Sequence, residues 1–154
     1  MLTSLKVFSE AELHSRCEIM LENYSKTVLI EANTMVEMAQ REILPAIVAY
    51  SSELAQAVAA KKAVSESVAC TYETKLIQKL STASDQISVF TKELEDAIIQ
   101  IADIAETVEQ SFYIRDVILP KMTSLRVVCD EAEQCTASKY WPFPTYGELL
   151  FGVR

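Results

Sequence analysis

No glycine occurs before position 147, and that absence excludes most folds open to a chain of this length. Strands joined by tight turns need residues that accept left-handed backbone, and a sandwich or barrel calls for a turn signal about every 8–12 residues. Here the glycines are Gly147 and Gly152, and the prolines are Pro45, Pro120, Pro142 and Pro144. Half of the residues are apolar, so a core is available without the turn chemistry that strands require. At 154 residues one domain can bury roughly 70% of its unfolded surface. The expected class is all-α, a bundle of about three long, proline-kinked antiparallel helices with an extended aromatic tail.

The apolar spacing places those helices. Ser9 can cap a first helix, and Glu10 and Glu12 suit the positive end of its dipole. A stripe then runs Leu13, Cys17, Met20, Tyr24, Val28, Met35, Ala39, Ile43, Ile47, Tyr50, Leu54, Val58, with Ala32 filling its widest gap. A second row of Ile19, Ile30, Val36, Leu44 and Val48 widens the face and predicts neighbours on more than one side. Pro45 predicts a kink near residues 41–45 without a stop, because the stripe stays in phase beyond it. The helix is expected over residues 9–62, ending where Lys61 and Lys62 meet the negative end of the dipole.

Residues 63–71 have no period and read as a connection. The second stripe is Leu76, Leu80, Ala83, Ile87, Phe90, Leu94, Ala97, Ile101, Ala105 and Val108, continuing through Phe112, Leu119, Met122, Leu125 and Cys129. One helix over 72–137 would be about 100 Å long. A turn is therefore placed between 102 and 108, near the start signals Asp103-x-x-Glu106 and Thr107-x-x-Gln110, giving helices over 72–102 and 107–137. Pro120 should kink the last of these, and no internal repeat is evident. The whole reads as a single domain, 1–154.

Charge and titratable residues exclude several functions. Lys plus Arg number 14 against 22 Asp plus Glu, a net charge of −8, so no basic stripe is available for nucleic acid or an anionic membrane. No run of about 18 uninterrupted apolar residues predicts a membrane span. Cys17, Cys70, Cys129 and Cys135 are irregularly spaced and show no zinc pattern; free thiols without a signal peptide predict a cytoplasmic protein. His14, the single histidine, reads as an ordinary exposed helical residue. No glycine-rich phosphate loop exists to hold ATP. Glu93, Asp96 and Glu106, with Glu95, Asp103 and Glu109, read as a solvated acidic face rather than a metal site, as do Asp130, Glu131 and Glu133. Met35 and Met38 read as core filler, and Cys17 and Cys129 as small hydrophobes within the stripes. No catalytic, cofactor-binding or metal-binding residue is assigned.

The tail, 138–154, differs in character. Tyr140, Trp141, Pro142, Phe143, Pro144, Tyr146 and Phe151 alternate aromatic groups with prolines, which forces extended backbone at 141 and 143. Aromatic residues anchor docking surfaces, so these seven are the candidate interaction residues. Two outcomes stay open: the tail covers its own bundle, or it packs on another domain or subunit.

Three stretches carry a family likeness. The first runs Phe8-Ser9-Glu10-Ala11-Glu12-Leu13-His14-Ser15-Arg16 and on through Glu18-Ile19-Met20-Leu21-Glu22-Asn23-Tyr24. The second comprises Ile30-Glu31-Ala32, Thr34-Met35 and Ala39-Gln40-Arg41-Glu42-Ile43-Leu44-Pro45-Ala46. The third joins Tyr113-x-Arg115-Asp116-x-x-x-Pro120-x-Met122 to Tyr140-Trp141-Pro142-Phe143-Pro144-Thr145-Tyr146. From about Val7 to Val153 the chain resembles the C-terminal helical domain of type III glutamine synthetases, the large bacterial form. Cys17 stands where an aromatic residue is usual, Asn33 replaces a usual leucine, and Met1 to Lys6 does not continue the family's upstream sequence.

The resemblance implies a fragment of a larger glutamate–ammonia ligase of nitrogen metabolism, one that joins ammonia to glutamate using ATP and a divalent metal (Mg or Mn). It implies as partners the catalytic domain and neighbouring subunits of a large assembly, with a homo-oligomer possible for the chain itself. None of the family's catalytic motifs maps onto a position here, so the expectation is a non-catalytic domain supporting folding, assembly or subunit positioning. Pro45 and Pro120 match the family and bear on architecture alone. The rival expectation is a freestanding helical interaction or adaptor protein; a third, a small-molecule pocket between helices, lacks polar groups on the apolar faces to orient a ligand.

Overall fold

A computed structural model describes residues 8–144 and 146–152, and every regular element among them is helical. Helix α1 (Glu10–Met38) passes through a π-helical stretch, Ala39–Ile43, into α2 (Leu44–Val64), so the first helix is continuous. Helix α3 (Thr71–Gln100) returns alongside it and ends in a 3-10 turn, Ile101–Asp103. Helix α4 (Thr107–Tyr113), a second π-helical stretch (Ile114–Ile118) and α5 (Leu119–Cys135) form the third long helix, and α6 (Tyr146–Phe151) follows the tail. The structure is the expected all-α class, built on three long helices.

Local chemistry explains the boundaries. Ser9 and Glu12 form a capping box: the Glu12 N–H donates to Ser9 Oγ (3.3 Å) and the Ser9 N–H donates to Glu12 Oε2 (2.8 Å). Lys61 and Lys62 lie in the last turn of α2, where cations suit the dipole. Pro45 and Pro120 each fall two residues beyond a π-helical stretch. A proline ring crowds the carbonyl four residues back and supplies no N–H, so a widened π turn just ahead relieves both problems. The surrounding sequences correspond, Ile43-Leu44-Pro45 and Ile118-Leu119-Pro120, and each buries its isoleucine.

Side-chain pairs fix the register. Gln40 Nε2 donates to Glu95 Oε1 (2.8 Å) and Lys61 pairs with Glu73, setting the first helix antiparallel to α3. Lys121 Nζ donates to Glu93 Oε2 (2.8 Å) and Tyr113 Oη to Gln100 Oε1 (3.1 Å), setting the third helix antiparallel to α3 in turn. Helix α3 is thus central, packing on α2 with one side and α5 with another. Of its expected stripe Leu80, Ala83, Ile87, Leu94 and Ala97 are buried, as is Ile101 just beyond it, while Leu76 and Phe90 are half-buried. Val28, Ala32, Val36, Ala39, Ile43 and Ile47 face it from the first helix; Ile114, Ile118, Leu125, Val128, Cys129 and Ala132 face it from the third.

Four expectations are corrected. The second row is largely outside, since Ile19, Ile30 and Val48 are exposed, with Val36 buried and Leu44 half-buried. The stripe of the third helix changes phase: Val108 and Phe112 are exposed, whereas Ser111, Ile114 and Ile118 are buried. Residues 104–106 leave the helix between the 3-10 turn and α4, so the pattern of α3 cannot be extrapolated through them into the third helix. Cys17 and Met20 lie on the first stripe yet are exposed. The tail is not extended throughout, because Tyr146–Phe151 forms a short helix after Pro144.

The continuous helix Glu10–Val64 contains a window long and apolar enough to cross a membrane by length and composition alone, a test that core helices of soluble proteins also pass. Its α2 half carries Glu53, Lys61 and Lys62 and sets Ala46 and Ile47 into the core.

Candidate interaction surface

The titratable groups do not converge. Among the described residues there is no group of three or more His, Cys, Asp or Glu placed to hold a metal ion. Lys121 pairs with Glu93, Lys92 pairs with Asp96 (2.9 Å), and Gln40 donates to Glu95. Arg126 approaches Asp130 at 3.5 Å, and exposed His14 lies 3.5 Å from Glu18. These are solvated pairs along helix surfaces, each with a modest effect on stability.

The cysteines fall into distinct environments. Cys70 and Cys129 are buried, Cys135 is half-buried and Cys17 is exposed. Burial pushes the Cys129 thiol up to about 11, and the negative charge of Asp130 adds to that. Lys79 is held above its ordinary value, first by hydrogen bonding to Cys135.

The tail has the most defined geometry of the candidate residues. Thr136 ends the third helix, its Oγ1 donating to the Ala132 carbonyl (2.8 Å), and a turn follows in which the Tyr140 N–H donates to the Ala137 carbonyl (2.8 Å). That turn carries the chain from α5 across to α2. Lys139 Nζ reaches both oxygens of Glu53 (2.9 and 3.0 Å), and the Tyr140 ring stacks on Tyr50, centroids 5.3 Å apart. The Lys139 ammonium also lies 4.8 Å from the Tyr140 ring centroid.

Trp141 and Phe143 then pack edge to face, centroids 6.2 Å apart, against the core cluster. They border a groove of about 390 Å³ between the first and third helices, walled by Met35, Met38, Ile43, Leu125 and Cys129. The bundle therefore receives Tyr140, Trp141 and Phe143, while Pro142, Pro144 and Phe151 are exposed. Thr145 and the Tyr146 side chain lie outside the described residues, as do Met1 to Val7, Val153 and Arg154. Alternation of prolines and aromatic residues was the visible signal; the groove that receives them was not, since it is assembled from two helices distant in sequence.

A second surface was missed altogether. Every residue from Glu10 to Tyr24 is exposed except Leu13 and Leu21, which are half-buried. This arm, about 22 Å long at 1.5 Å per residue, carries Cys17, Met20 and Tyr24 of the first apolar stripe exposed, with Leu13 half-buried.

The architecture defines an all-α domain whose C-terminal tail covers one seam of a three-helix bundle. The family model for the glutamine synthetase C-terminal domain matches residues 1–62. A glutamine synthetase of Butyrivibrio fibrisolvens is 34% identical over 148 residues, covering 96% of this chain and 21% of its own length. A glutamine synthetase of Bacteroides fragilis (strain YCH46) is 30% identical over 151 residues, 95% of this chain and 21% of the relative. A type-3 glutamine synthetase of Dictyostelium discoideum is 27% identical over 158 residues, 96% of this chain and 22% of the relative. By sequence the chain is similar to the C-terminal domain of glutamine synthetases, a type-3 enzyme among them, and it spans about a fifth of the length of the curated relatives it matches.

Proposed function

We propose that this chain acts as the non-catalytic C-terminal domain of a type III glutamine synthetase, supporting folding, subunit assembly or positioning. The observation that carries this reading is a likeness over nearly the whole chain confined to about a fifth of each synthetase. The parent reaction is ATP-dependent ligation of ammonia to glutamate with a divalent metal (Mg or Mn), carried out in the cytoplasm by the remaining four-fifths. The partners of the domain are that catalytic part and neighbouring subunits. Scattered lysine–carboxylate pairs support a non-catalytic role, because a ligase must converge charged groups on a phosphoryl group and two substrates.

The test is an assay of the chain alone with glutamate, ammonia, ATP and Mg or Mn. The expected result is no glutamine above background. Sustained ATP-dependent glutamine formation would overturn the non-catalytic assignment.

A further inference from the structure

The arm Glu10–Tyr24 has the features of a docking element. Its start is fixed by the Ser9–Glu12 capping box, so it is built as a helix to its first turn. An isolated helix of this length is marginal in water, since most helical stability in proteins comes from packing of an apolar face. That face is present here: Leu13, Cys17, Met20 and Tyr24 continue the stripe that Val28 and Ala32 bury in the core. Met20 is 72% exposed and Ile19 55%. Contiguous bare apolar surface on a polar-flanked element marks an interaction site.

Two observations select the occupant. Glu10, Glu12, Glu18 and Glu22 flank the stripe against Arg16 and Lys26, so two copies of the arm would bring like charges together. In the relatives about four-fifths of the chain lies outside the matched part, and the family describes that part as C-terminal, so its amino-terminal end is the end that adjoins the bulk of the enzyme. The family match, residues 1–62, includes the whole arm.

We propose that the arm docks through Leu13, Cys17, Met20 and Tyr24 into an apolar, basic-rimmed groove on the catalytic part of a type III glutamine synthetase. This rests on the function proposed above. It names the surface that joins the domain to the enzyme and the chemistry of the complementary face.

Cys17 sits on the docking face and is exposed in the chain alone, so its reaction with a maleimide reports occupancy. The experiment compares the chain alone with a chimera in which it replaces the matched segment of the Butyrivibrio fibrisolvens enzyme. In an assembled, active chimera Cys17 should label at least tenfold more slowly, and Met20→Glu should restore the fast rate while Val48→Glu, exposed on α2, should not. Fast labelling of Cys17 in an assembled, active chimera would overturn the docking proposal and leave the function standing. A chimera that neither assembles nor turns over, beside a native enzyme that does both, would overturn the function and the docking together. Concentration-dependent protection of Cys17 in the chain alone would show the arm's partner to be a second copy and would overturn the proposal.

Discussion

Tyr140, beyond the end of the third helix, stacks on Tyr50 of α2 with ring centroids 5.3 Å apart and planes tilted by 36°. The contact joins residues ninety positions apart in the chain and places Trp141 and Phe143 one and three residues further on, over the groove between the first and third helices. The tail is thereby part of the bundle's packing as far as Phe143.

Trp141 is the only tryptophan, so its emission reports the tail directly. Trp141→Ala removes a half-buried ring from the core margin and should lower stability by about 1–3 kcal/mol, less than for a fully buried aromatic. Urea unfolding checks this. In the native sequence, loss of the tail's packing should appear as a red shift of emission, and Tyr50→Ala should shift it part of the way.

Thr91 is 2% exposed, and its hydroxyl has no hydrogen-bond partner among the described residues. A buried unsatisfied hydroxyl opposes folding, so the near-isosteric Thr91→Val should stabilise the chain by about 1 kcal/mol. An increase in the urea midpoint without a change in slope is the expected result.

Ile118 and Met20 test the boundary between bundle and arm. Ile118 is fully buried, so Ile118→Ala should cost about 2–5 kcal/mol. Met20 is exposed, and Met20→Ala in the chain alone should fall within about 0.5 kcal/mol of the parent. Equal losses at the two positions would mean that the arm is packed in the free chain.

Thiol chemistry should separate the four cysteines. Labelling should be fastest at Cys17, intermediate at half-buried Cys135, and slowest at Cys70 and Cys129. Cys129 also sets a pH dependence. Its thiol titrates near 11 in the folded chain against an ordinary 9.0, so with rising pH the unfolded chain loses this proton first. The stability tied to the neutral thiol is therefore complete below 9.0 and is lost as pH rises through about 11. Denaturation midpoints between pH 8 and 11 should fall more steeply for the parent than for Cys129→Ala.

Much of the fold could be read from residue spacing, because a helix repeats its buried face every three or four residues. Leu80, Ala83, Ile87, Leu94, Ala97 and Ile101 were all on the expected stripe and are all buried. The turn expected between 102 and 108 is where the 3-10 turn gives way to α4. Spacing failed at Phe112 and Ile114 because the stripe of α3 was carried across the non-helical residues 104–106, where the chain ends one helix and starts another with a new buried face. It failed at Cys17 and Met20 for a different reason. An apolar face shows that something covers it, but periodicity carries no information on what, and here the rest of the bundle leaves most of Glu10–Tyr24 exposed. The tail's aromatic character was legible; the Met35–Leu125 groove that Trp141 and Phe143 border required the assembled bundle.

The central claim, that this domain supports a larger synthetase without performing its chemistry, is tested most directly by sedimentation velocity. The Butyrivibrio fibrisolvens enzyme would be compared with a version lacking the segment similar to this chain. The account predicts that the shortened enzyme sediments with fewer subunits per particle, or as heterogeneous species, beyond the mass lost with the segment. An enzyme of unchanged subunit number and unchanged activity without that segment would contradict it.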